Sequence, residues 1–94
     1  MSVELAFDWD EANVSHIARH GVDPAEAEQV LGNDPLDLNF ESVEGESRWT
    51  SVGHSNALRV LLVVWTIRGD RCRVVTARSA GKKVERAYMR QRTI

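Results

Sequence analysis

The stretch RVLLVVWTIRGDRCRVVTARS, Arg59 to Ser79, decides the fold. Its first half is an almost unbroken apolar run, the pattern of a strand covered on both faces. Gly69-Asp70 suits a tight two-residue turn with glycine at the first central position, and CRVVTAR then returns as an antiparallel partner. That turn predicts the pairs Arg68–Arg71, Ile67–Cys72, Trp65–Val74, Val63–Thr76 and Leu61–Arg78. Opposed side chains share a face, so Arg59, Leu61, Val63, Trp65, Thr76 and Arg78 are expected together, with the roots of Arg59 and Arg78 about 7–8 Å apart. Two permanently charged planar forks at that spacing grip one phosphate or two adjacent ones. The competing reading pairs each with an acid such as Asp37 or Glu41, and a turn of another length would part them.

Upstream of the hairpin, LDLNFE alternates Leu36, Leu38 and Phe40, and RWTSVGHS sets Trp49, Ser51 and Gly53 against Thr50 and Val52, which predicts two more strands. Two short helices precede these. The first is expected from about Glu11 to His20, capped by Asp8 with Glu11 three residues on, or equally by Asp10, and stopped by Gly21. The second has Asp23 as N-cap, Pro24 at N1, Glu26 at N3 and a closing Gly32. Before them, LAFDWD alternates Leu5, Phe7 and Trp9 as a short strand. After the hairpin, KKVERAYMRQR places Val84, Ala87 and Tyr88 at helical spacing among cations. The expectation is a single domain over residues 1–94 of the α+β class, ordered β-α-α-β-β-β-β-α. A small antiparallel sheet would be packed on one side by two N-terminal helices and a C-terminal helix.

Of the 94 residues, 43% are apolar and 28% charged, which argues against disorder. The longest apolar run, Val60 to Trp65, is six residues, far below the ~20 that cross a bilayer. The start lacks a secretion pattern, and one cysteine, Cys72, forms no internal disulfide; a cytoplasmic protein without membrane contact is expected. Nothing near Cys72 spells a Cys/His nucleophile. The net charge of −2 hides an asymmetry: residues 1–47 hold twelve Asp/Glu against Arg19 alone, a balance of −11, and residues 48–94 hold eleven Lys/Arg against Asp70 and Glu85, a balance of +9. Either a basic surface awaits a polyanion, or the two halves pair across the fold.

FDWDEANVSHIARHGVDPAEAEQVL, RWTSVGHS, RVLLVVWTIRGDRCRVVTARSA and KKVERAYMR, in this order, resemble the BrnT family of ribonuclease toxins from type II toxin–antitoxin modules. The resemblance covers nearly the whole chain. Its most specific pieces are Trp9-Asp10 leading into His20-Gly21-Val22, and TARSA followed by a basic helix with Glu85, Arg86 and Tyr88. It implies a RelE-like fold and an endoribonuclease activity without metal or other cofactor. It also implies neutralisation by a DNA-binding antitoxin of ribbon-helix-helix type, with operator DNA reached only through the complex.

Cleavage of RNA by its own 2′-hydroxyl needs a base, positive charge on the phosphorane and an acid for the leaving oxygen. Arg59 and Arg78 suit the charge, and His54 and His20 are the candidate proton carriers at neutral pH, with Tyr88 and Glu85 behind them. Lys82, Lys83, Arg86 and Tyr88 are candidate RNA contacts. On the first helix Trp9, Asn13, His16 and His20 fall within about 60° of one another. That stripe reads as packing, as an RNA or antitoxin contact, or, through His16 and His20, as half a zinc site. Trp49 and Trp65 read as core or interface residues, or as base-stacking platforms. The basic last helix reads as a solvated face, an RNA surface, or the surface an acidic antitoxin segment covers. The alternative function is a non-catalytic RelE-like binding module, a degenerate toxin that acts only through antitoxin and operator.

Overall fold

The computed structural model describes residues 6–92. Seven elements follow in the order α1 (Glu11–Ala18), α2 (Pro24–Gly32), β1 (Leu36–Val43), β2 (Glu46–His54), β3 (Val60–Arg68), β4 (Arg71–Ser79) and α3 (Lys82–Arg92). The expected first strand reduces, among the described residues, to a single parallel bridge between Phe7 and Cys72, with Leu5 outside them. The Asp8 N–H donates to Cys72 O at 2.9 Å and the Cys72 N–H to Ala6 O at 2.8 Å. Pairing ends there because Asp10 turns the chain into α1. Its Oδ1 accepts from the N–H groups of Ala12 and Asn13 at 3.0 and 3.2 Å, and Asn13 Oδ1 accepts from the Asp10 N–H at 2.8 Å. The reciprocal cap is thus Asp10 with Asn13, not Asp8 with Glu11.

α1 stops at Ala18, short of His20, and Gly21 takes the left-handed conformation (φ +71°) while the Val22 N–H donates to Ile17 O at 3.1 Å. α2 begins as expected, with the Asp23 carboxylate accepting from the Glu26 N–H at 2.8 Å and Pro24 in the first turn. Gly32 is still helical, and the left-handed residue beyond it is Asp34 (φ +54°).

The strands form one antiparallel meander in chain order, β1-β2-β3-β4. The β1–β2 turn uses left-handed Glu44 and Gly45 (φ +52° and +81°), and the β3–β4 turn uses left-handed Gly69 (φ +64°), the position expected from sequence. Pairing near that turn is also as expected: Arg68–Arg71, Ile67–Cys72 and Trp65–Val74. Then the register shifts, because Val64 pairs with Thr76 while Trp65 pairs with Val74. Val75 is an extra residue, a bulge, and a slip of one residue turns every later side chain to the other face. Val63 therefore opposes Ala77, Leu61 opposes Ser79, and Arg78 opposes Leu62.

The core lies in two layers, one on each side of the sheet. Ile17, Val22, Ala27 and Val30 from the α1–α2 segment bury Leu61, Val63, Val74 and Ala77. On the opposite face Tyr88, with Val84, covers Val52, Val60, Leu62 and Leu36. Helices on both faces replace the expected one-sided arrangement; the near-continuous apolar run of β3 was the signal for it. Each fully buried aliphatic contributes about 1.5–3 kcal/mol. The α2 layer sits unusually close: a Cβ on Gly53 would lie 3.0 Å from Val30 Cγ1, 3.1 Å from Val30 O and 3.2 Å from Pro35 Cβ. On the same face Phe40, Trp49 and Trp65 form a cross-strand row with centroids 5.2 and 4.7 Å apart. The Trp65 indole donates to Ser51 Oγ at 2.9 Å, and that hydroxyl donates to Asp37 at 2.7 Å, which supports the core reading of Trp65. Among the described residues no helix is long and apolar enough to cross a membrane.

Candidate functional site

The bulge parts the two arginines that the sequence places together. Arg59, just before β3, points to the α1–α2 side, where its Nη1 donates to both oxygens of Glu26 at 2.7 Å and to Gly21 O at 3.1 Å. The acid that holds it is Glu26, not Asp37 or Glu41. Arg78 is exposed on the other face and makes no ion pair among the described residues. A phosphate grip by this pair from one side of the sheet is therefore absent, and the physical reason is Val75.

His20 follows Arg59: it precedes Gly21, whose carbonyl Arg59 contacts. Its ring meets His16 edge-on with centroids 5.5 Å apart, and His16 Nε2 lies 3.0 Å from Thr76 Oγ1. Among the described residues no third ligand joins these imidazoles. The rest of the stripe packs. Trp9 Nε1 donates to Glu28 at 2.7 Å, and buried Asn13 donates through Nδ2 to Asp8 O and Val74 O at 3.0 and 3.1 Å, tying α1 to the edge of β4.

Charge pairing across the halves accounts for many cations. Arg48 and Arg68 meet Glu46 at 3.4 Å, and Arg92 meets Asp34 at 3.2 Å. Arg73 forms a bidentate pair with Asp10 at 3.0 and 3.1 Å and reaches Asp8 at 3.4 Å. The Arg73 hydrogen bond is the main reason the Asp10 carboxyl lies below its ordinary value, with the Asn13 N–H assisting; the same bond raises Arg73. Burial pushes the Cys72 thiol up to about 11, so it stays a protonated, inert core group. Arg78, Lys82, Lys83 and Arg86 remain, without ion pairs among the described residues, where β4 passes into α3. Pairing across the halves thus holds for Arg48, Arg59, Arg68, Arg73 and Arg92, and does not extend to these four.

Beside this group the sheet presents one row, Val52–Leu62–Arg78, on the α3 face. His54, two residues beyond Val52, shares that face. Its root lies about 12 Å from that of Arg78, two strand spacings across and two residues along, with Val60 and Leu62, packed under Tyr88 and Val84, between them. His54 Nδ1 is 2.6 Å from the Tyr88 hydroxyl, and Tyr88 is buried. Tyr88 is thus a partner of His54 in the core rather than an exposed RNA contact. This bond fixes the other ring nitrogen's role. If Tyr88 donates, Nε2 carries the proton; if Nδ1–H donates, Nε2 offers a lone pair. His54 Nε2 has no hydrogen-bond partner among the described residues.

A cavity of about 180 Å³ opens beside the pair, lined by His54, Leu58, Val60, Tyr88, Met89 and Arg92. A wider groove of about 580 Å³ runs along α3 by Lys82, Glu85, Arg86, Met89 and Arg90. The guanidinium of Arg92 sits 5.7 Å from the Tyr88 ring centroid while its Nη1 donates to Asp34 O at 3.1 Å. This clasp escaped the sequence reading, because an Arg–Asp contact across 58 positions leaves no local pattern. The His54–Tyr88 contact was equally hidden, although both residues stood out singly.

The family model described as ribonuclease toxin, BrnT, of type II toxin–antitoxin system matches residues 9–83. Among solved structures, the 1.1 Å crystal structure of the ribonuclease toxin BrnT of Brucella abortus is similar: TM-score 0.62, 25% identity, 84% of this chain and 100% of that one covered. No curated protein matches the chain. The likeness carries the four-stranded antiparallel sheet with three helices, and the broader RelE-like label rests on the sequence resemblance alone.

Proposed function

The chain belongs to the BrnT family, the ribonuclease toxins of type II toxin–antitoxin systems, and on that premise we propose that it cuts RNA without a metal on the α3 face of its sheet. The observation that carries this reading is the His54–Tyr88 pair, 2.6 Å apart, on the sheet face that also bears Arg78, with Lys82, Lys83 and Arg86, on the helix above, making no ion pair among the described residues. Lys82, Lys83 and Arg86 hold flanking phosphates as point charges. Arg78 stabilises the charge that grows on the phosphorane. His54 Nε2 takes the proton of the attacking 2′-hydroxyl and returns one to the leaving oxygen; Tyr88 keeps the ring oriented through both tautomers. Arg59, neutralised by Glu26, braces α2 against β3, and His20 lies outside this site.

The family implies an antitoxin partner and an RNA target. We read the antitoxin as a ribbon-helix-helix DNA-binding protein that brings the complex to its operator, on the strength of the sequence resemblance. The test is cleavage of a single-stranded RNA by the purified chain in a chelator. Arg78→Ala should lower the rate by about 10²–10³, the usual effect of removing one transition-state charge partner, with unchanged stability. A chain that expresses harmlessly, cleaves nothing and still binds its antitoxin would instead be the non-catalytic module.

A further inference from the structure

β1 is the outermost strand of the sheet, and among the described residues nothing pairs with its free edge. Edge strands are normally short, charged or covered, because unpaired backbone groups recruit other chains. β1 has eight residues, six of them exposed, and it displays Leu38 and Phe40 at 51% and 55% exposure. Phe40 also rests against Trp49, with ring centroids 5.2 Å apart, so an apolar anchor stands at the edge.

Its charge has one sign. Residues 36–46 hold Asp37, Glu41, Glu44 and Glu46 and no Lys or Arg. Glu46 is taken up by Arg48 and Arg68, and Asp37 accepts from Ser51, but Glu41 and Glu44 have no ion-pair partner among the described residues. A second copy docking antiparallel on this edge would set acid against acid. An RNA strand would be repelled outright.

We propose that the free edge of β1 takes an extended segment of the protein antitoxin as a fifth strand, with apolar side chains on Leu38 and Phe40 and basic ones facing Glu41 and Glu44. Main-chain bonds supply affinity and the alternate side chains supply selectivity. This rests on the reading of the chain as a toxin with a protein partner, but it separates the antitoxin's hold from the RNA face. The antitoxin anchors on the acidic edge and need not compete for the cations of α3.

The probe is a nine-residue peptide of alternating valine and lysine, added to the full-length ¹⁵N-labelled chain, with a valine–glutamate peptide as control. Slowed amide exchange within residues 36–43 by the lysine peptide alone supports the proposal. So does a loss of about tenfold in its affinity on Glu41→Lys, with RNA cleavage retained. Equal protection by both peptides, protection over α3 instead, no binding at millimolar peptide, or a dimer whose β1 amides are already protected would each overturn it. Arg78→Ala leaves this edge untouched, so a failed nuclease assay and a failed peptide titration are told apart.

Discussion

The two faces of the sheet are built from alternate residues of the same strands and end up doing opposite things. Under α1 and α2 the apolar residues are fully buried and the nearby cation Arg59 is spent on Glu26, while Arg73, at the sheet edge, is spent on Asp8 and Asp10. Under α3 the apolar layer is thin, essentially Val84 and Tyr88 over Val52, Val60, Leu36 and Leu62, and four cations stay uncommitted. Stability is concentrated on one side and unpaired charge on the other, and the pleat keeps them apart.

The sharpest way to break this comparison is to truncate matched neighbours on β3. Leu61→Ala should cost about 2–5 kcal/mol in urea unfolding because Leu61 is fully buried, while Leu62→Ala on the opposite face should cost clearly less. Next comes Arg78→Ala, for which a rate loss near 10²–10³ with an unchanged denaturation midpoint is expected; loss of stability instead would make Arg78 a structural residue. Gly53→Ala tests the closeness of α2. With backbone only 3.1 Å from the new methyl group, a cost of about 1–3 kcal/mol is expected and a neutral result would mean the helix can ride up.

Arg59→Ala should lower stability by about 1 kcal/mol, since the Arg59 side chain is 39% exposed and solvent screens its pair with Glu26, and should leave RNA cleavage intact. The smallest effect is in acid. The Asp10 carboxyl is held below its ordinary 3.8 by Arg73, so its contribution is present above that pH and disappears as the pH falls through the lowered value. Stability profiles of the wild type and Asp10→Asn should therefore differ at neutral pH and converge in strong acid; parallel profiles would show the Arg73 contact to be idle.

Much of this was legible in the residues. Asp23-Pro24, Gly21 and Gly69-Asp70 each carry a local stereochemical signal, and the structure uses all of them. The alternation in β2 and the apolar run of β3 likewise specify strands. What stayed hidden was non-local. Val74-Val75-Thr76 contains no glycine or proline to announce a bulge, so the register could be read only as far as Trp65–Val74. The candidate site suffered most, because its geometry depends on parity: His54 and Arg78 were each visible, but their common face was not.

That one residue at Val75 makes the last four residues of β4 behave like a reversible garment, lining outward. In kindred chains a single-codon gain or loss at this point would exchange the exposed and shielded sides of everything up to Ser79 while the hairpin tip stayed as it was. Correspondence between such chains is therefore set by odd-or-even count from the turn, and a matched arginine has an equivalent role only when that count agrees.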